Sequence, residues 1–185
     1  SDQQFLNQEH KLIRDMARDF ARNELTPFAS SWDEGADFPE DIYARMGQLG
    51  LMGMSVSDKW GGSNADTVSY AIALEEIAAG DVGTSTAMSV NNSLVCSGIE
   101  NFGTEEQKLS ILKPLAKGEV LGCFCLTEPQ AGSDASAIKT KAHMDGNEWV
   151  LNGTKQFITS GSKADYAIVF AVTDPDADKK GLSCF

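Results

Sequence analysis

The chain has 185 residues, 42% of them hydrophobic, and a formal net charge of −12. That length and apolar content bound it to one or two domains with a real core, as in an ordinary soluble globular protein. The acidity argues against nucleic acid, whose binding needs a basic footprint, and against an anionic membrane surface. It leaves an anionic small ligand open, because backbone dipoles and one or two cations can hold a phosphate. The four cysteines, Cys96, Cys123, Cys125 and Cys184, include no Cys-x-x-Cys pair, and His10 and His143 are far apart in sequence. No metal is expected from such scattered ligands, and reduced cysteines in a reducing compartment are the simplest reading. There is no run of membrane-spanning apolar length and no signal-peptide pattern. Ser1 in place of Met fits processing or trimming, which leaves room for a lost targeting segment.

In chain order, residues 6 to about 26 predict an amphipathic helix: Leu12, Met16 and Phe20 recur every four residues, with Ile13 and Ala17 beside them. Asn7 is the expected cap, and Pro27 should stop or kink the helix. A second helix is expected from Pro39 at its first position, with Ile42, Met46 and Leu49 inward and Gly50 as its stop. Trp60-Gly61-Gly62 makes a glycine-rich turn; the lysine of a phosphate loop is missing, so it reads as a connector. Thr67 to Ala79 predicts a third helix with Ala71, Leu74 and Ala78 on one side. Its adjacent Glu75 and Glu76 point roughly 100° apart, which suits a solvated face or an ion pair better than a catalytic pair.

From Asp81 to Asn101 the pattern is less regular. Small residues Gly83 to Ala87 precede Val90, Leu94 and Val95, and they allow close approach of either another helix or a ligand. Thr104-Glu105-Glu106-Gln107 is a capping-box pattern that opens a helix with Leu109, Ile111 and Leu112, which Pro114 should end or kink. After Gly118 the composition turns β-rich. The expected division is an all-helical domain over 1–119 and a β domain over 120–185.

Within the second part, an apolar strand from Leu121 to Leu126 breaks at Thr127-Glu128-Pro129. A small-residue loop, Ala131-Gly132-Ser133-Asp134, follows. A hairpin turns at Asp145-Gly146-Asn147, and a strand through Trp149 to Leu151 returns by Asn152-Gly153-Thr154 to Phe157-Ile158-Thr159. Two hydroxyl-bearing segments would thus sit at strand ends, where they can hold a flat polar ring and a phosphate; a plain hairpin with turn residues is the bland alternative. Tyr166 to Val172 predicts another strand, and 174–180 a surface loop. Gly181 to Phe185 reads as the start of a strand with no turn, cap or polar tail after it. A domain rarely stops there, so the chain is expected to be the first part of something longer.

CLTEPQAGSDA, residues 125–135, resembles the first signature of the acyl-CoA dehydrogenase family, and NGTKQFITS, residues 152–160, resembles its second flavin segment. Met88 to Leu94 and Gly122-Cys123-Phe124 resemble the short-chain members. The resemblance runs over all 185 residues but over only about the N-terminal half of a family chain. It implies an α+β fold: an N-terminal helical domain followed by the first part of an antiparallel β domain. It also implies FAD as cofactor, with Phe124 and Cys125 among the residues that bind it, Leu126 and Thr127 at its pyrimidine edge, Phe157 and Ile158 against the ring and Thr159 near N5. Gly132 would let backbone approach the diphosphate, and Ser133 would contact both cofactor and CoA ester. Val90 and Leu94 are the acyl-pocket candidates.

The implied reaction is α,β-dehydrogenation of a short or small branched acyl-CoA to the trans-2-enoyl-CoA, with electrons passed to electron-transfer flavoprotein. The implied setting is a homotetramer in bacterial cytoplasm or the mitochondrial matrix. No catalytic base is expected in this chain, since the family carries it as a glutamate on a later helical domain. Glu128 and Asp134 are expected to bond local backbone N–H groups or a cation. Two departures stand out: Phe157 where many relatives have Trp, and Gln130 at a site that is often Gly. An acyl-CoA oxidase and a non-catalytic flavin- or acyl-CoA-binding protein are the alternatives.

Overall fold

The computed structural model describes residues 5–37 and 39–185. It divides into two compact units, residues 1–121 and 122–185.

The first unit is helical. Helix α1 (Gln8–Phe20) opens on a capping box, in which the Asn7 side chain accepts from the His10 N–H and the His10 ring accepts from the Asn7 N–H. It runs on as a π-wound turn, Ala21–Leu25, and stops before Pro27. A short helix, α2 (Ala29–Gly35), carries Trp32 stacked on Phe28 at 5.8 Å. Helix α3 (Glu40–Gln48) takes Pro39 as its N-cap, one position earlier than expected, and Gly50 follows it at φ 76°. Gly61 also has positive φ, and a Cβ at Gly62 would lie 2.1 Å from the Val56 carbonyl oxygen. The Gly-Gly pair is therefore a steric requirement of the connector.

Helix α4 (Thr67–Gly80) buries Ser69, Ala73 and Ile77, whereas Ala71 is exposed and Leu74 and Ala78 are half-buried. The expected face was rotated because apolar residues surround this helix on most sides, which blurs the 3.6-residue signal. Arg18 forks onto Glu76 and ties α1 to α4, the ion pair expected of that glutamate.

Val82 to Phe102 is one continuous helical run: α5 (Val82–Ser89), a π-wound section (Val90–Cys96) and α6 (Ser97–Phe102). Two fully buried asparagines sit in the π section. Asn91 donates to the Met52 and Leu115 carbonyls; Asn92 accepts from the Met54 N–H and donates to the Leu51 and Met88 carbonyls. They satisfy the polar backbone of a buried loop that has no ladder of its own.

The Thr104/Gln107 capping box opens α7 (Glu105–Gln107), which continues through a π-wound turn (Lys108–Leu112) into α8 (Lys113–Ala116). Pro114 stands at the start of α8, and the helix ends two residues later at Ala116. The proline follows directly on the π-wound turn, where the regular i→i−4 ladder that a proline would break is already displaced. The core of the unit is Leu25, Met46, Leu51, Met52, Ile77 and Met88, all fully buried.

The second unit is a five-stranded mixed sheet of order β1-β4-β2-β3, with β5 also on β4. Its strands are β1 (Gly122–Cys125), β2 (Lys141–Asp145), β3 (Glu148–Asn152), β4 (Tyr166–Val172) and β5 (Leu182–Cys184). The antiparallel pairings expected are present as the β2–β3 hairpin and β4–β5. Strand β1 pairs β4 in parallel, from Gly122↔Tyr166 to Cys125↔Val169, and β2 meets β4 in parallel at Lys141↔Val172. Strand β3 ends at Asn152 and does not return to Phe157, because Gly153 leaves the ladder to press against Thr140, where a Cβ would meet the hydroxyl at 2.3 Å. Residues 175–181 wind as a 3-10 helix rather than a plain loop, capped by the Asp174 carboxylate on the Asp176 N–H. No helix among the described residues is long and apolar enough to cross a membrane.

Candidate functional site

Strand β1 carries one ring, Phe124, and two thiols, Cys123 and Cys125. Phe124 packs on Phe170 with centroids 5.3 Å apart, and the Cys125 sulfur lies 3.7 Å from that of Cys123. Burial pushes the Cys123 thiol up to about 12, as does the neighbouring Cys125, so Cys123 is an inert core residue. Leu126 and Thr127 follow, both half-buried, and the chain then turns back on itself through paired hydrogen bonds between Glu128 and Ala131.

Glu128 is the knot of this region. Its side chain is 3% exposed, and each carboxylate oxygen has two donors. Oε1 accepts from Lys155 Nζ at 2.8 Å and the Thr140 N–H at 2.9 Å; Oε2 accepts from the Lys139 N–H at 2.6 Å and Gln130 Nε2 at 2.7 Å. Burial alone would raise this carboxyl, but the ammonium and the N–H groups outweigh it and hold it well below the usual carboxylate range. A carboxylate so saturated cannot serve as a base, in keeping with its expected role.

Lys155 also donates to the Leu126 carbonyl at 3.1 Å, and the Gln156 N–H donates to the Thr127 carbonyl at 2.9 Å. These bonds fasten residues 126–128 and 155–156 side by side.

Directly beyond that fastening the backbone is strained. Phe157 has φ 59° and Ser160 φ 61°, the left-handed region that costs a side-chain-bearing residue roughly 1–2 kcal/mol. The Phe157 ring is 85% exposed, so its own packing does not explain the strain. Ile158 and Thr159 are half-buried between them. In the other loop Gly132 and Ser133 are exposed, and a Cβ at Gly132 would meet nothing within 4 Å. Asp134 caps the 3-10 turn Ala135–Ala137 through the Ser136 N–H.

An exposed aromatic face held in an unfavourable backbone well, hydroxyls on both flanking segments and an open glycine loop fit a flat ring bearing a phosphate chain. In the helical unit, Val90 is half-buried and Leu94 is 40% exposed, both on the π-wound section.

Comparisons with known proteins identify the family. Residues 7–119 match the model of the acyl-CoA dehydrogenase N-terminal domain, and residues 123–185 that of the acyl-CoA dehydrogenase middle domain. The chain belongs to the acyl-CoA dehydrogenase family. A short-chain-specific acyl-CoA dehydrogenase of Clostridium acetobutylicum is 45% identical over 97% of this chain and 48% of its own length. The mitochondrial short-chain-specific enzyme of Bos taurus is 45% identical over 97% of this chain and 44% of its own. A glutaryl-CoA dehydrogenase of Mycobacterium smegmatis in complex with FADH2 superposes with a TM-score of 0.87 at 41% identity, over 91% of this chain and 44% of that one. The chain thus spans about half the length of the acyl-CoA dehydrogenases it matches.

Lys155 and Gln130 are the site residues that sequence reading missed. Part of the signal for Lys155 was present: two acids, Glu128 and Asp134, in the first motif and a single cationic side chain in the second. Gln130, noted only as a departure from Gly, is not at positive φ and uses its amide to hold Glu128.

Proposed function

We propose that this chain provides the flavin-binding part of an FAD-dependent acyl-CoA dehydrogenase acting on short or small branched acyl-CoA thioesters, giving the trans-2-enoyl-CoA. The observation that carries this reading is the left-handed, exposed Phe157 beside the fastened 126–128 segment, in a chain whose two family matches cover both motifs. Phe124 and Cys125 at the end of β1 would be among the residues that bind the cofactor, and Leu126 and Thr127 would line its pyrimidine edge; Phe157 and Ile158 would cover the ring, with Thr159 toward N5. Gly132 would admit the diphosphate, and Ser133 would bridge cofactor and CoA ester. Val90 and Leu94 are proposed for the acyl chain.

When bound, FAD supplies the acceptor for the hydride that leaves the β-carbon. This chain's residues orient the thioester and exclude water, so that the α-proton and β-hydrogen depart in a fixed geometry. No residue here is assigned as the base. Electron-transfer flavoprotein as acceptor and a homotetramer belong to the same proposal, as does bacterial cytoplasm or mitochondrial matrix as the compartment, the last supported by bacterial and mitochondrial relatives.

The test is the visible spectrum of the purified protein before and after anaerobic addition of butyryl-CoA. A flavin spectrum that bleaches supports cofactor, thioester site and reaction together. Peroxide formed on turnover in air would instead favour an oxidase, and a protein that neither carries nor takes up FAD would contradict the reading.

A further inference from the structure

The family match accounts for the groups that face a flavin, but not for the buried ion pair behind them. Lys155 and Glu128 are 11% and 3% exposed, and they link two loops 27 residues apart in sequence. Three bonds cross between residues 126–128 and residues 155–156: Lys155 Nζ to the Glu128 carboxylate, Lys155 Nζ to the Leu126 carbonyl, and the Gln156 N–H to the Thr127 carbonyl. Two of the three are made by one ammonium.

That ammonium stands two residues before Phe157, whose positive φ needs an external restraint to persist. The other face of the pair is anchored just as firmly. Glu128 takes the N–H groups of Lys139 and Thr140, residues that lead into β2, so the sheet itself is the fixed end. On the far side of Phe157 the Ile158 carbonyl accepts from the Gly161 N–H, and the Ser160 carbonyl accepts from the N–H groups of Lys163 and Ala164.

We propose that the Lys155–Glu128 pair is a positioning device that sets the spacing of the two flavin-facing segments and holds Phe157 in its left-handed conformation, so that FAD affinity depends on it. This rests on the flavin reading above. A fold-stabilising bridge alone would predict something different: its loss would lower thermal stability and leave the affinity of whatever protein remains folded unchanged.

The experiment compares Lys155→Met, Lys155→Arg and the double variant Glu128→Gln/Lys155→Met with wild type. It measures FAD affinity by quenching of flavin fluorescence on the apoprotein and, separately, the Tm of the apoprotein. The expected result for Lys155→Met is an affinity at least about tenfold weaker. Lys155→Arg, which keeps the charge and donors, should recover to within about threefold. The double variant, which leaves no lone buried charge, should regain much of the Tm while staying weak for FAD. Wild-type FAD affinity in Lys155→Met would overturn the proposal; should that variant not fold, wild-type affinity in the double variant would do so. If wild type itself binds no FAD, it is the flavin reading that fails. If wild type binds and the folded variants match it, the positioning role alone fails.

Discussion

The two units are held together in different ways. The helical unit encloses a continuous apolar core rich in leucine, isoleucine and methionine, and its buried polar residues among those described are His10, the Asn91–Asn92 pair and the hydroxyls of Ser69, Thr84 and Ser85. The sheet unit buries little: Cys123, Ala131, Ile138, Ala142 and Ala171 are its fully buried apolar residues among those described, and every residue of β3 is exposed. Its organisation comes from strand pairing, the Phe124–Phe170 and Trp149–Phe185 ring contacts and the Glu128 knot. Apolar burial is non-directional, whereas charge-assisted hydrogen bonds are short and geometrically specific. Precision is therefore placed where a cofactor ring would have to be gripped, and bulk stability elsewhere.

The largest effect that would sharpen this contrast is in the helical core. Ile77→Ala should destabilise the protein by about 2–5 kcal/mol in urea titrations, through lost burial and the cavity left behind. FAD affinity of the folded fraction should not change.

In the sheet unit the corresponding weakness is acid. The folded-state pKa of Glu128 lies below its ordinary value of 4.5, so its contribution is fully present above that pH. The contribution is lost as pH falls further toward the folded value. Urea titrations at a series of acid pH values should show wild type losing this component below about pH 4.5 and Glu128→Gln lacking it. Parallel pH profiles for the two proteins would break the assignment of the knot.

A smaller loss, about 1 kcal/mol, is expected from Thr104→Ala, which removes one half of a capping box on an exposed helix start. The smallest effect has the opposite sign. Phe157→Gly should leave stability unchanged or raise it by up to about 1 kcal/mol, because it relieves a left-handed side chain and sacrifices no core packing. It should also weaken FAD binding, so that stability and affinity move apart.

Much of this was legible in the sequence where one local rule dominated. The Asn7 and Thr104 caps, the Gly50 stop, the hairpin at Gly146 and strand β4 follow from capping, turn and alternation signals, and the two motifs marked the segments proposed for the cofactor. What was not legible depended on partners distant in sequence. The inward face of α4 was hidden because the helix is apolar nearly all round, and packing alone chose Ala73 and Ile77 over Ala71. The π-wound turn before Pro114 was not legible either, although the helix does end two residues beyond that proline, at Ala116. The end of β3 at Asn152 followed from Gly153 meeting Thr140 and from Glu128 drawing Lys155 aside, neither of which a periodicity can show.

The central claim is that residues 126–128 and 155–160 form one cofactor-gripping unit, and amide hydrogen exchange of the purified protein with and without FAD tests it most directly. The account predicts that FAD slows exchange in both segments together, with the helical core around Ile77 unaffected. Protection confined to one segment, or appearing elsewhere while both stay as fast as in the apoprotein, would contradict it.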